Sequence, residues 1–254
     1  MSTLINITAS IVIYKEDKSE LLKAIDSVVK SKLVKTLYII DNSPKENSHL
    51  KDLLINDSVE YIYTGKNIGF GTGHNLILEK IKGKSLCHLI LNPDVYFQPE
   101  VLKELSSELQ KDSNLSMIAP KILFPNEEIQ YTIRKYPTIL EFSLRFLRIS
   151  NRYTKNREYR DQNLEKPFYP DFIHGNFMLF KTEDLIKIEG FDTRYFLYME
   201  DVDICKRIDQ LGKRKMYFPK VKAYHIFKKG SSKKSYLFFT HLISIYKYFM
   251  KWGF

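Results

Sequence analysis

The chain alternates apolar runs with amphipathic stretches from its start. Ile5-Asn6-Ile7-Thr8-Ala9-Ser10-Ile11-Val12-Ile13-Tyr14 is β-branched and apolar, stops at Lys15-Glu16-Asp17, and is followed by Leu21, Leu22, Ile25, Val28 and Val29 at helical spacing. The pattern predicts strand, loop, helix. It recurs: Thr36-Leu37-Tyr38-Ile39-Ile40 runs into Asp41-Asn42-Ser43-Pro44, a polar helix carries Leu50, Leu53 and Leu54, and Val59-Glu60-Tyr61-Ile62-Tyr63 forms a third strand. A helix starting near Gly71 with Leu76, Ile77 and Ile81 precedes the buried strand Ser85-Leu86-Cys87-His88-Leu89-Ile90-Leu91, and a further helix runs from Glu100 to about Lys111. Strands and helices alternating in this way predict an α/β domain with a parallel sheet, right-handed crossovers, and ligands beyond the carboxyl ends of the strands.

Beyond that helix, Pro120, Pro125 and Pro137 punctuate short segments that read as hairpin or edge structure. The polar, charged stretch of residues about 150 to 170 reads as a mobile loop beside the site or as a solvated connector. Phe172 to Phe180 reads as one strand, Thr182-Glu183-Asp184 begins a helix, a second helix spans about Asp201 to Leu211, and a strand runs near Lys215 to Ile226. From Ser235, Tyr236, Phe239, Leu242, Ile243, Tyr246, Phe249 and Met250 share one helical stripe, flanked by Lys228, Lys229, Lys233, Lys234, Lys247 and Lys251. The stripe suits an interfacial helix on an anionic leaflet or a terminal helix packed on the domain. It divides the chain into a main domain to about residue 230 and a basic amphipathic helix over 231–254.

Composition narrows the class. With 254 residues, 44% hydrophobic and 14% aromatic, the chain buries a sizeable core and is no disordered or disulfide-stapled scaffold. Its two cysteines, Cys87 and Cys205, lie far apart, and no stretch reaches the ~20 apolar residues of a spanning helix, so a cytoplasmic setting is expected. The net charge of +10 favours an anionic partner such as nucleotide phosphates, nucleic acid or an acidic membrane face. From Lys206 to the end Asp209 is the sole acid, so the excess belongs to the C-terminal part.

Four clusters fall where strands end. Asp41 closes the second strand, where a carboxylate either accepts the N3–H of a pyrimidine base beside Tyr14 or organises a turn. Asn67-Ile68-Gly69-Phe70-Gly71-Thr72-Gly73-His74-Asn75 brings backbone N–H groups close to a phosphate or sugar at a helix start, or is a ligand-free glycine turn. It follows the third strand with the wrong glycine spacing for a dinucleotide fingerprint. Asn92-Pro93-Asp94 places a carboxylate suited to Mg²⁺ or Mn²⁺ at the sheet edge, and His225 returns as a further ligand, a phosphate contact or a structural histidine. In Tyr195-Phe196-Leu197-Tyr198-Met199-Glu200-Asp201-Val202-Asp203, the acids follow apolar residues, as a general base in a partly desolvated cleft requires. They are also favoured at a helix start.

Taken in order, Ile13-Tyr14, Asp41-Asn42-Ser43, Asn67 to Gly71, Leu91-Asn92-Pro93-Asp94, His174-Gly175-Asn176-Phe177-Met178, Gly190-Phe191-Asp192, Glu200 to Asp203 and His225 resemble the family 2 inverting glycosyltransferases. More narrowly, they look like the bacterial rhamnosyltransferase-like branch of O-antigen and capsule synthesis. The resemblance covers about residues 5 to 230. It implies a GT-A fold, a mostly parallel sheet flanked by helices with a small antiparallel annex on the acceptor side, and donor and acceptor halves of about 1–120 and 121–230.

It further implies a nucleotide-diphosphate sugar donor, a divalent cation (Mg²⁺ or Mn²⁺), and single displacement with inversion. Tyr14 and Asp41 would hold the base, Asn67, Gly69, Phe70 and Gly71 the ribose and diphosphate, and Asn92 and Asp94 the donor's metal end. His225 would hold metal or diphosphate, and His174 and Gly175 would line the cleft. Asp201 and Glu200 would be the catalytic pair, with Asp201, or alternatively Glu200, as the base and Glu200 otherwise placed for acceptor or donor hydroxyls. Many relatives carry Asp where Asn92 stands, which leaves the metal fewer anionic ligands. The implied donor is dTDP-rhamnose, with a UDP-hexose or UDP-N-acetylhexosamine as the alternative. The implied acceptor is a saccharide on a polyprenyl diphosphate, and the chain would be peripheral on the inner membrane face. Nucleic-acid binding and a silent glycan-binding module are the readings from other classes; the acidic Glu200 to Asp203 cluster argues against the former, and Asp94 together with Asp201 against the latter.

Overall fold

The computed structural model describes residues 6–46, 58–147, 149, 152–226 and 235–253. The expected helix with Leu50, Leu53 and Leu54, and the lysines at 228, 229, 233 and 234, lie outside the described residues. The elements run β1 (Ile7–Ile13), α1 (Lys18–Lys30), β2 (Val34–Asp41), β3 (Val59–Tyr63), α2 (Phe70–Asn75), α3 (Leu78–Ile81), β4 (Cys87–Leu91), β5 (Val95–Phe97), α4 (Glu100–Lys111) and β6 (Leu115–Leu123). They continue as β7 (Ile133–Arg134), α5 (Ile139–Phe146), α6 (Arg152–Arg157), β8 (Phe172–Ile173), β9 (Phe177–Lys181), α7 (Thr182–Lys187), α8 (Glu200–Gln210), β10 (Arg214–His225) and α9 (Ser235–Trp252).

Eight strands form one sheet in the order β3-β2-β1-β4-β9-β6-β10-β5, and β7 pairs with β8 in a separate two-stranded antiparallel sheet. β1 pairs in parallel with β2 and β4, β2 with β3, and β10 with β6, whereas β9 runs antiparallel to β4 and β6, and β5 to β10. Near-continuous apolar strands demand cover on both faces, and both are covered. Ile7, Ala9, Ile11, Leu37, Ile39 and Leu89 pack under α1 and α4, while Val12, Ile40, Ile90, Met178 and Phe180 pack under α3, α7, α8 and α9.

Because β9 runs against its neighbours, its first residue enters the sheet at the edge where β1, β2, β4, β6 and β10 end. The expected single strand from Phe172 to Phe180 is therefore broken. His174-Gly175-Asn176 crosses that edge instead, held by His174 N–H donating to Thr132 O (2.8 Å) and Asn92 N–H donating to Asn176 O (2.9 Å). In β10 the pairing slips between Phe218 and Lys222, at Pro219, which has no N–H for the ladder.

Two further expectations change. The segment read as a mobile loop contains helix α6 and is tied back by Arg157 to Glu141 (3.2 Å) and by Glu158 to Arg134 (3.2 Å) and Arg145 (3.0 Å). Helix α9 is apolar on two sides. Tyr248 and Phe249 are buried in the core, so Phe249 leaves the expected stripe, while Tyr236, Phe239, Leu242, Ile243, Tyr246 and Met250 remain exposed. The described lysines of the tail face the protein: Lys247 donates to Arg194 O (2.7 Å), and Lys251 bridges Asp192 and Asp203 (2.7 Å each).

Candidate active site

The strand ends open onto a cavity of about 660 Å³ lined by Tyr14, Asn42, Asn67, Gly69, Phe70, Asn92, Asp94, Phe196 and Leu197, with Tyr236 and Leu237 of α9 at its margin. A second cavity, of about 450 Å³, is lined by Arg134, Glu141, Phe142, Arg145, His174, Tyr198, Glu200, Asp201 and His241, among others. The segment Phe196-Leu197-Tyr198-Met199-Glu200-Asp201 supplies walls to both.

Glycine is required at the first cavity for steric reasons. Gly69 has φ +90°, and a Cβ there would meet Phe196 O at 2.4 Å. The loop is clasped from three sides: Asn42 Nδ2 donates to Gly69 O (3.0 Å), Gly69 N–H to Asn67 Oδ1 (3.0 Å), and Phe70 N–H to Phe196 O (3.1 Å). Asn42, quoted in the Asp41-Asn42-Ser43 motif without a role of its own, grips a backbone carbonyl across the cleft. Gly71 does not line the cavity. A Cβ there would lie 2.6 Å from Phe191 Cβ, so its smallness serves the packing of α2.

Asp41 does not reach the cavity either, which corrects its expected role at the base. It is wholly buried, with Oδ1 accepting from Ser43 N–H (2.8 Å) and Oδ2 from the Tyr61 hydroxyl (2.6 Å). Its carboxylate organises the strand-end turn, and Tyr14 and Asn42 are the residues that face the cavity there.

At the other end of this cavity, Asp94 Oδ1 lies 3.2 Å from His225 Nε2 and accepts no hydrogen bond. Gln130 settles the tautomer. Its Nε2 donates to His225 O (2.8 Å), so its Oε1 faces His225 Nδ1 at 2.9 Å and must accept from it. Nδ1 then carries a proton, and Nε2 is the ring nitrogen turned toward the carboxylate. An imidazole nitrogen converging with a carboxylate oxygen that accepts no hydrogen bond, and with Asn176 Oδ1 also buried and unpaired nearby, fits a cation. Among the described residues no group of three His, Cys, Asp or Glu could hold a metal, so two protein ligands would leave the remaining positions to donor oxygens and water.

In the second cavity, Tyr198 and Met199 both have φ +69°, the left-handed region that costs a non-glycine residue energy. This strained pair projects Glu200 and Asp201 from the start of α8. Asp201 Oδ2 accepts from Gly175 N–H (3.2 Å) and Oδ1 from Val202 N–H (2.9 Å), which gives Gly175 its place as positioner rather than cavity wall. Glu200 Oε2 is buried with no partner.

Burial pushes both carboxyls above their ordinary range. Glu200 is raised well above it, with the neighbouring Asp201 charge adding to burial, while the two backbone N–H donors temper the rise at Asp201. Of the pair, Glu200 is the more readily protonated and Asp201 the more readily ionised. His174 Nδ1 stands 3.7 Å from Asp201 Oδ2, and burial followed by the Arg134 charge drives its pKa well down, so it stays neutral.

Asp203 serves neither cavity. It is fully buried, pairs with Arg207 (2.8 Å) and Lys251 (2.7 Å), accepts from Trp252 Nε1 (2.8 Å), and so ties α8 to α9. Arg207 continues the clamp to Ile188 O (2.5 Å) and Gly190 O (2.6 Å).

Residues 8–185 match one family model, described as glycosyl transferase family 2; the match takes in the glycine loop and Asp94 and ends before Glu200, Asp201 and His225. The chain belongs to glycosyl transferase family 2. Among characterised members, it is 28% identical over 176 residues to rhamnosyltransferase WbbL of Escherichia coli strain K12, covering 66% of this chain and 64% of that protein. It is 25% identical over 181 residues to the N-acetylglucosaminyl-diphospho-decaprenol L-rhamnosyltransferase of Mycobacterium tuberculosis, covering 66% and 59%. The chain thus matches about three fifths of the length of these relatives.

Solved structures of low sequence identity share the fold of this chain. GalNAc-T7 with UDP, GalNAc and Mn²⁺ superposes with a TM-score of 0.69 at 18% identity, over 89% of this chain and 44% of that one. Mannosyltransferase PcManGT from Pyrobaculum calidifontis, in complex with GDP-Man and Mn²⁺, gives 0.61 at 12% identity, over 89% and 58%. The expected GT-A fold, with its mostly parallel sheet and two-stranded annex, is present.

Proposed function

We propose that the chain is an inverting glycosyltransferase that moves a sugar, L-rhamnose in the first instance, from a nucleoside diphosphate to a hydroxyl of a lipid-linked saccharide in cell-surface polysaccharide synthesis. The observation that carries this reading is the meeting of the two cavities at Phe196 to Asp201, which sets a donor compartment and a pair of carboxyl groups on either side of one short segment. Support for rhamnose comes from the names of both relatives, and support for a polyprenyl-diphosphate acceptor from the mycobacterial one alone.

In this reading the base and ribose lie against Tyr14, Asn42 and the Asn67 to Phe70 loop. The diphosphate reaches Asn92 and Asp94. Asp94 and His225 would hold the divalent cation, which when bound neutralises charge on the diphosphate. Asp201 takes the proton of the acceptor hydroxyl. The freed oxygen bonds to the anomeric carbon, while the bond from that carbon to the diphosphate oxygen breaks on the opposite face and its electron pair leaves with the diphosphate. Fixed charge and position supply most of the acceleration.

The described residues contain no helix long and apolar enough to cross a membrane. A peripheral seat on the inner membrane face is supported by the exposed apolar face of α9 rather than by its described lysines. Calorimetric titration with dTDP-rhamnose, UDP-galactose and UDP-N-acetylglucosamine, in Mn²⁺ and in chelator, tests the donor assignment. Binding selective for one sugar nucleotide and strengthened by Mn²⁺ is expected. Absence of binding by every sugar nucleotide in both conditions would refute the transferase reading.

A further inference from the structure

The second cavity has a chemistry that a neutral sugar does not need. Arg134 and Arg145 line it, and they belong to a cluster in which four guanidinium groups share two carboxylates. Glu158 pairs with Arg134 (3.2 Å), Arg145 (3.0 Å) and Arg160 (2.6 Å), and Glu141 with Arg145 (2.9 Å) and Arg157 (3.2 Å). Glu141 and Glu158 are themselves buried, so the cluster is built into the fold and keeps two positive charges in excess. Of its members, Arg134 and Arg145 turn surface toward the cavity, opposite Glu200 and Asp201.

The cavity lies between two helices that are only half used. Helices α5 and α9 meet where the Phe142 ring stands 6.0 Å from His241 and 6.1 Å from Phe249, and both Phe142 and His241 line the cavity. Beyond that seam, Ile139, Leu140 and Leu147 at α5, and Phe239, Ile243, Tyr246 and Met250 on α9, are exposed. An excess of guanidinium charge inside, flanked by uncovered apolar helix surface, suits an amphiphile with an anionic head.

We propose that Arg134 and Arg145 bind the diphosphate of a prenyl-diphosphate-linked acceptor, with its sugar directed at Asp201 and its hydrocarbon chain leaving over α5 and α9. This assignment rests on the transferase reading and adds to it the site of the acceptor's charged linker. Guanidinium is suited to the task because its planar fork meets two phosphate oxygens at once.

Farnesyl diphosphate serves as the probe, titrated into the full chain whose donor cavity is already saturated with dTDP and Mn²⁺. Saturable binding is expected, weakened about ten- to a hundredfold by Arg145→Ala, as for loss of one contact between charged groups. Arg160→Ala removes a partner from the same Glu158 but does not line the cavity, and it should bind like the wild type. Affinity for dTDP with Mn²⁺, measured first in each variant, reports on the fold and on the donor site. Normal dTDP affinity with no farnesyl diphosphate binding would overturn this inference alone, whereas failure of the wild type to bind dTDP or any sugar nucleotide would remove the transferase reading beneath it. Equal loss in both arginine variants would assign the effect to the ion-pair cluster and overturn the inference. So would farnesyl diphosphate binding that Arg145→Ala leaves intact while phosphatidylglycerol vesicles lose affinity, since the cluster would then serve the bilayer surface.

Discussion

The two cavities are assembled by different means. The donor cavity is walled mainly by residues within a few positions of a strand end, Tyr14 after β1, Asn42 after β2, and Asn92 and Asp94 after β4, so the sheet itself places them. The second cavity draws Arg134 from β7, Glu141 and Arg145 from α5, His174 from a broken strand, Asp201 from α8 and His241 from α9, and no short stretch of chain contains it. A site at strand ends is fixed once the sheet forms. One built from scattered helices depends on the buried ion pairs that hold them.

That contrast can be broken most severely at Asp203. Asp203→Ala leaves Arg207 and Lys251 without their buried partner and should cost about 3–5 kcal/mol in denaturant unfolding. Since it joins α8 to α9, the loss should fall on the second cavity before the donor cavity. A variant of normal stability would show that the helices are held in some other way.

Gly69→Ala strikes the donor side alone. The forced contact with Phe196 O, together with the left-handed φ, should cost about 1–3 kcal/mol and weaken sugar-nucleotide affinity. Unchanged affinity would mean that the loop does not touch the donor. Asp94→Ala should abolish the Mn²⁺-dependent increment in donor affinity without loss of stability, as measured by titration in Mn²⁺ and in chelator.

The smallest effect is expected at Glu200. As the more readily protonated of the pair, it is mimicked by glutamine, and Glu200→Gln should transfer sugar within about tenfold of the wild type, a margin of ~1.4 kcal/mol in barrier height. The pH dependence carries the same logic. A base must be ionised, and the Asp201 carboxyl is raised above its ordinary 3.8, so turnover should fall on acidification at a pH above that value. A profile flat down to the ordinary aspartate range would place the base elsewhere.

The same division explains what could be read from the chain. The alternating apolar runs were enough to expect the parallel sheet, and the Asn67 to Phe70 loop and Asn92 to Asp94 could be located because strand-end chemistry is local. Asp41 misled for an instructive reason: a carboxylate at a strand end looks the same whether it faces a ligand or, as here, a Ser43 N–H and a Tyr61 hydroxyl. Arg134, Glu141, Arg145 and His241 carried no signal, because single charged residues on unrelated elements reveal nothing until the fold brings them together. The tail stripe was half legible. Its helical period was evident, but burial of Tyr248 and Phe249 in the core, and the turning of Lys247 and Lys251 toward the protein, are tertiary facts.

The most direct test of the account is the rate at which Asp201→Asn transfers a radiolabelled sugar from saturating sugar nucleotide into a lipid-extractable product. Loss of one positioned proton acceptor predicts a fall of roughly 10²- to 10⁴-fold with donor affinity unchanged. A rate within a few fold of the wild type would contradict the assignment of Asp201 as the base, and with it the meeting of the two cavities as the site of reaction.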